Sequence, residues 1–182
     1  MIWFISDLHL GHFNMIKLAG RPYNDVDQMD AALINNWNAV VGWKDDVYVL
    51  GDFSMKPLDV VESYLNRLQG NKFLIRGNHD RVGAYPYKIP NGFGWVKDYH
   101  EMSFGGRRLV LFHYPVFEWY HAMKGTVSLY GHVHKNDSEY NDWYLKKHWL
   151  AFNIGVDVNN YFPISIEQIM KQVEKLESKW KK

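Results

Sequence analysis

Cysteine does not occur in this chain. Disulfides and thiolate zinc sites are therefore excluded, and any metal site must be assembled from imidazole nitrogen and carboxylate or amide oxygen. An excess of one charge is also missing. Twenty-one Lys and Arg against 20 Asp and Glu leave a formal net charge of +1, which gives no overall field for nucleic acid or an anionic membrane. No apolar run approaches the roughly eighteen residues of a membrane span, and the opening stretch MIWFISDLHL carries no basic leader and reaches an acidic residue at Asp7. These absences lead to the expectation of a soluble, cytoplasmic protein with no membrane partner. Linkers, repeats and low-complexity tracts are lacking too, so one domain over residues 1–182 is expected.

What is present is a packable chain: 47% hydrophobic and 16% aromatic, enough to close a substantial core at this length. Short runs of β-branched, aromatic and aliphatic residues mark strands at Ile2 to Ser6, Val47 to Leu50, Phe73 to Ile75, Leu109 to Phe112, Val127 to Tyr130 and Trp149 to Ile154. Met29, Leu33, Trp37 and Val40 recur at helical spacing behind the cluster Asn24, Asp25 and Asp27, which can supply an N-cap, predicting a helix over roughly 25–41. Leu58, Val61, Leu65 and Leu68 form a second stripe, with Pro57 in the first turn and Gly70 as a stop. Gly105-Gly106 reads as a hairpin turn between Tyr99–Phe104 and Arg107–Phe112, so the sheets should be mixed. Ser165 and Gln168 form a capping-box pattern ahead of a C-terminal helix, and the polar segment 135–148 is expected to be a surface excursion.

The chemistry sits where the strands stop. Asp7 and His9 follow the first run, Asp52 the second, Asn78 the third, His113 the fourth, and His132 and His134 the fifth. Ligands in open α/β sheets bind beyond the carboxyl ends of strands, so adjacent strands would bring these residues together. Glycines at 51, 77 and 131 give room for a sharp turn just before a ligand. Imidazole suits Zn, Fe, Mn or Ni, and the oxygen donors also accept Mg. Two such cations can share a carboxylate, for which Asp52 is the candidate, and hydrolysis of a phosphate ester is the reaction that most needs such a pair.

Asp7-Leu8-His9, Gly51-Asp52, Gly77-Asn78-His79-Asp80, His113 and Gly131-His132-Val133-His134 occur in an order that resembles the calcineurin-like metallophosphoesterases, in their small bacterial and phage form. The resemblance implies an α/β fold, a four-layer α/β/β/α sandwich of two mixed β-sheets. It implies two divalent metal ions, expected to be Mn with Fe, Ni, Zn or Mg as alternatives. Asp7, His9, Asp52 and His134 would hold one ion, and Asp52, Asn78, His113 and His132 the other. The implied reaction is attack of a metal-bound hydroxide on phosphorus, with His79 assisting the leaving group and Asp80 helping to position His79. Asp52-Phe53-Ser54-Met55 lacks the Asp and Arg that follow the bridging residue in protein phosphatases, which argues against that role. A small phosphate ester is the expected substrate, a diester first, with nucleotide-like esters among the candidates and a nuclease, a nucleotide phosphomonoesterase or a metal-containing interaction module as alternatives. Nothing in the sequence sets the oligomeric state.

Around this set, His12 and Asn14 are read as substrate contacts or ordinary turn residues, and Arg21, ahead of Pro22, and Arg76, ahead of Gly77, as candidate phosphate contacts, Arg21 preferred, with surface or structural ion pairing the favoured alternative for either. Asp157 is read either as a support of the site from the last strand or as an ordinary turn or helix-facing hydrogen-bonding residue. His100, His121 and His148 match no motif. The aromatic residues Tyr85, Tyr87, Phe93, Trp95, Trp119, Tyr120, Trp143, Tyr144 and Trp149 could stack on a base, but core and loop packing is the preferred reading.

Overall fold

The computed structural model describes residues 1–81 and 89–181; Tyr85 and Tyr87 lie outside the described residues. Strand β1 (Ile2–Ile5) leads through a short helix α1 (Asn14–Leu18) to α2 (Val26–Val40), and β2 (Asp46–Val49), α3 (Leu58–Arg67) and β3 (Asn71–Ile75) follow. Then come β4 (Phe93–Lys97), β5 (Tyr99–Phe104) and β6 (Arg107–Phe112), a 3-10 turn at Ala122–Lys124, and β7 (Val127–Tyr130). The chain ends with α4 (Ser138–Lys147), β8 (Ala151–Asn153), β9 (Ile164–Ser165) and α5 (Ile166–Trp180).

One sheet has the order β4-β3-β2-β1-β9, parallel except for β9; the other runs β5-β6-β7-β8, antiparallel only between β5 and β6. Neighbouring residues on a strand point to opposite faces, and the burial follows that rule. Ile5, Val47, Val49 and Leu74 face outward onto Met29, Leu33 and Trp37 of α2 and Val61 and Leu65 of α3. Phe4, Leu50 and Ile75 face inward, against Leu109, Leu111, Val127 and Leu129 of the second sheet, and Ile166, Ile169 and Val173 of α5 close that layer. On the far side Val110, Tyr130 and Ala151 meet Trp119, Tyr144 and Trp149. The result is the expected four-layer α/β/β/α arrangement with two mixed sheets. Each fully buried large apolar side chain contributes about 1.5–3 kcal/mol, so the inner strands are held from both faces.

Local signals act where the sequence places them. Asp25 caps α2 by accepting from the Gln28 N–H at 2.8 Å. Ser165 and Gln168 form the reciprocal box at the start of α5, at 3.2 and 2.8 Å. Gly105 and Gly106 both have positive φ, 57° and 78°, as a tight β5–β6 hairpin requires. Other expectations shift. Residues 135–148 contain a helix, α4, that buries Tyr144 and leaves most of its surface to solvent. The strand expected from Trp149 to Ile154 narrows to Ala151–Asn153, and Pro57 is the N-cap of α3 rather than its first-turn residue. The strands β4 and β9 and helix α1 were not anticipated: β4 is interrupted by Gly94, and the other two are only two and five residues long. Among the described residues no helix is long and apolar enough to cross a membrane.

Candidate metal centre

The parallel strands β1, β2 and β3 of one sheet and β6 and β7 of the other end at a common edge, and the chain stitches that edge together. Asp7 N–H donates to Gly51 O at 3.0 Å, His9 N–H to Asp52 O at 2.8 Å, and Gly131 N–H to His113 O at 2.9 Å. The two sheets are joined directly by the His132 N–H, which donates to both Asp7 carboxylate oxygens at 3.0 Å. Asp7, His9 and His134 form one group of metal-competent side chains and Asp52, His113 and His132 another, the ligand atoms within each group lying within 4.8 Å of one another. Asn78 joins the second, its Oδ1 3.1 Å from His113 Nε2. Asp52 stands between them: its Oδ2 is 3.5 Å from His9 Nε2 and 3.5 Å from His113 Nε2, while its Oδ1 accepts the His79 N–H at 2.9 Å.

This convergence strains the backbone. Asp7, His9, Asp52, His132 and His134 all adopt left-handed φ, between 49° and 72°, at about 1–2 kcal/mol each for L-residues. Such strain persists where the surroundings over-determine it, commonly at functional sites. The turns expected from the preceding glycines are thus made largely by the metal-competent residues themselves. The glycines serve close approach: a Cβ on Gly131 would overlap Ser6 Oγ and Asp7 Oδ2, and one on Gly77 would overlap Asp52 Oδ1.

The electrostatics of the donor set favour a cation. Burial pushes the Asp7 carboxyl up to about 6. Burial also pushes Asp52 up, but the hydrogen bond and charge of His113, with the His79 N–H and His9, bring it down to about 2. His9 is buried, with neither ring nitrogen partnered, and burial drives it down to about 3. A neutral buried imidazole with two free nitrogens is costly unless something occupies a lone pair, so the donor set fits a cation. Two other imidazoles are already oriented for one. His113 Nδ1 donates to Leu50 O at 2.8 Å and His134 Nδ1 to Asp157 Oδ2 at 2.7 Å, leaving each Nε2 facing the centre.

Arg21 is placed differently from the expectation of a phosphate contact. Its side chain is fully buried, and all five N–H groups are engaged: Nε and Nη2 grip the Asp157 carboxylate at 2.9 and 3.0 Å, Nη2 also reaches Asp7 O, and Nη1 reaches Leu8 O and Met29 Sδ. It braces the floor of the site, because Asp157 in turn holds His134. Asp80 is a second correction. Its oxygens accept from Asp52, Phe53, Ser54 and Gly77 N–H groups, so it organises the Asp52 loop, and its hydrogen bonds among the described residues go to backbone rather than to the His79 ring. His79 itself lies at the rim, its ring 5.3 Å from that of His9. His12 is close by, 5.7 Å from His9 and 6.4 Å from His79, with a buried, unpartnered Nδ1; Asn14 is exposed at the start of α1. Arg76 pairs with Asp98.

Two participants carried no motif signal. Tyr114 packs edge-on against His113 and His132, with centroids at 4.8 and 4.7 Å, and only its position beside His113 could have flagged it. Asn153 donates to His134 O at 2.8 Å and accepts from Gly155 N–H at 2.9 Å, pinning the His134 loop. A cleft of about 540 Å³ adjoins His132 and His134, walled otherwise by Lys135, Asn136, Glu139 and Tyr140. A roomier hollow of about 730 Å³, beside Arg107, Arg108 and Trp180, contains none of the metal-competent residues.

Comparison with known proteins gives a consistent result. The profile of the calcineurin-like phosphoesterase superfamily domain matches residues 1–158. An uncharacterized protein of Methanocaldococcus jannaschii is 34% identical over 177 residues, covering 96% of this chain and 92% of its own. The gene 66 protein of Mycobacterium phage L5 is 28% identical, over 72% of this chain and 76% of its own. The crystal structure of a protein of unknown function from Aquifex aeolicus superposes with a TM-score of 0.77 at 27% identity, covering 94% of this chain and 98% of that one.

Proposed function

Because this chain belongs to the calcineurin-like phosphoesterase superfamily, we propose that it is a two-metal hydrolase of small phosphodiesters. The observation that carries the reading is the position of Asp52 Oδ2, equally distant from one imidazole of each group, where one carboxylate oxygen can serve two cations. Asp7, His9 and His134 would hold one ion with Asp52; Asn78, His113 and His132 would hold the other with it. The donor set suits manganese, imidazole and oxygen ligands being combined without thiolate. Such a pair, when bound, lowers the pKa of water and neutralises charge on the phosphoryl oxygens.

The remaining work falls to the chain. Asp157, braced by Arg21, orients His134, and Leu50 O orients His113. His79 stands outside both groups, with its backbone tied to Asp52 and its ring at the rim, and is placed to give a proton or a strong hydrogen bond to the departing ester oxygen. The diester preference rests on openness: Asn78 is exposed, His132 and His134 are half-buried, and the adjoining cleft leaves room for a second ester substituent. The test pairs aryl phosphodiester and monoester reporters with two variants of the Mn-loaded protein. His79→Ala is expected to lower turnover about 10²–10⁴-fold with both metals retained, and Asp52→Ala to empty or disorder the pair. Loss of metal from the His79 variant, with full turnover after reconstitution, would defeat the assigned role. Failure to hydrolyse either reporter would defeat the enzyme reading.

A further inference from the structure

Strands β6 and β7 have a second end, away from the metal-competent residues. Arg107 opens β6 and Thr126 precedes β7, each six positions before His113 and His132, a separation of roughly 20 Å in nearly extended chain. There the starts of these strands, the approach to β8 and the end of α5 wall the hollow of about 730 Å³, within the size range of small-molecule sites. Arg107 donates to Gly125 O at 2.9 Å and pairs with Glu177 at 2.9 Å. Arg108 Nη1 donates to Glu101 at 2.6 Å, and its guanidinium lies 5.0 Å from the Tyr120 ring centroid. These pairs fix both forks and engage both carboxylates. Lys124 is left with no ion pair among the described residues, and the other N–H groups of Arg108 and the imidazoles of His121 and His148 have no protein partner there. The rest of the wall is flat and apolar: His148 lies parallel to the Trp180 indole, with 5.0 Å between centroids and 14° between planes, beside Leu150. A Cβ on Gly105 or Gly106 would meet nothing within 4 Å, so the hairpin part of the rim is unobstructed. Helices α4 and α5 end here, and their carbonyl ends, unfavourable to an anion, are offset by Lys146, Lys147 and Lys179 in the last turns.

We infer that this hollow is a second ligand site, for a small organic phosphate whose anionic head meets Lys124 and Arg108 and whose flat body lies against His148 and Trp180. Guanidinium and ammonium are natural donors to phosphate oxygens, and a fork already fixed by a carboxylate loses little freedom on binding. A wholly apolar occupant would displace the water on Lys124 and Arg108 without replacing its hydrogen bonds. Walls on four elements set the occupant at small-molecule size rather than that of a strand or a bilayer. The hollow shares no residue with the metal centre, so the inference stands or falls apart from the proposed reaction.

The test titrates the full-length, Zn-loaded protein with phenylphosphonate and with methylphosphonate, whose C–P bonds an ester hydrolase leaves intact. Both anions can also meet the metal ions, so the readout is local: the NMR signals of the Trp180 indole N–H and the His121 and His148 imidazoles. Phenylphosphonate is expected to shift all three along one saturating curve. Lys124→Glu is expected to weaken that curve about tenfold, as the loss of a charge-assisted hydrogen bond does, and Arg108→Gln to weaken it in the same direction. Trp180→Ala is expected to weaken phenylphosphonate about fivefold and to leave methylphosphonate, followed at the two imidazoles, unchanged. Shifts confined to the metal centre, shifts that never saturate, or a curve indifferent to both charge substitutions would each overturn the inference. So would saturation of the same signals by a 20-nucleotide single strand or by anionic phospholipid vesicles at lower concentration than phenylphosphonate, since the face would then serve a macromolecule or a membrane.

Discussion

Replacing Arg21 by Met separates a brace from a substrate contact. The Arg21 and Asp157 side chains are both fully buried, and the guanidinium meets the carboxylate through two bonds at 2.9 and 3.0 Å. Arg21→Met keeps much of the aliphatic volume and removes the charge, stranding Asp157 with only His134 as a partner and taking a donor from the carbonyls of Asp7 and Leu8. Breaking one side of a buried pair costs about 3–5 kcal/mol. For a chain of this size each kcal/mol lowers Tm by roughly 2–4 °C, so a fall of about 6–20 °C is expected. Because His134 loses its orientation, metal affinity at the Asp7–His9–His134 group should also fall, by roughly 10–100-fold. Thermal melts with and without excess Mn, calorimetric metal titration, and Michaelis kinetics at saturating metal read the three consequences, and KM for the ester should change little. A variant with unchanged Tm and metal affinity but a raised KM would refute this reasoning and return Arg21 to the phosphate.

Asp80→Ala should cost metal as well as turnover, because it strips acceptors from the buried N–H groups of Asp52, Phe53 and Gly77; metal analysis showing both ions retained would restore Asp80 as a partner of His79. Gly131→Ala should expel the ion from the Asp7 group, since the added Cβ meets Asp7 Oδ2 and Ser6 Oγ, and a metal content equal to wild type would contradict the tight cradle. Chelation should lower Tm by roughly 10–20 °C, taking about 2.7 kcal/mol per site at a hundredfold excess over Kd and the Tm scaling above; an unchanged melt would exclude cations from the folded state. The gap between loaded and chelated protein should widen from pH 5 to pH 7. Burial raises Asp7 to about 6 in the metal-free fold, so that fold binds the proton more tightly than the unfolded chain and loses Asp7's contribution as pH rises through about 6, while a cation competes better with fewer protons.

The fold was legible wherever a local rule and the tertiary packing agree. The inward and outward alternation of Phe4 and Ile5, or of Leu109, Val110 and Leu111, is written in the strand period, and the Gly105-Gly106 turn and the Ser165 box are settled by neighbours three residues apart or fewer. Helix α4 was obscured because a solvated helix that buries only Tyr144 has no apolar stripe to show. The strands β4 and β9 were obscured for a related reason: an edge strand containing Gly94 and a two-residue strand carry too little pattern of their own and exist because β3 and β1 offer them edges.

The site divides along the same line. Residues that can meet a cation announce themselves by type and by position past a strand end, and the structure gathers six of the seven candidates into two groups with Asn78 against His113. The residues that hold them do not announce themselves. Arg21 and Asp157 are 136 positions apart, and an arginine destined for a buried carboxylate has the same sequence appearance as one destined for phosphate. What distinguishes them is saturation: once five N–H groups have acceptors and the side chain has left solvent, no donor remains for a substrate. The same count reassigns Asp80, whose two oxygens meet four backbone N–H groups, and it leaves His9, with both nitrogens bare, as the buried side chain whose chemistry is still unmet. Supporting residues are therefore recognised by completed valence and working residues by its absence, and that difference becomes visible only when the chain is folded.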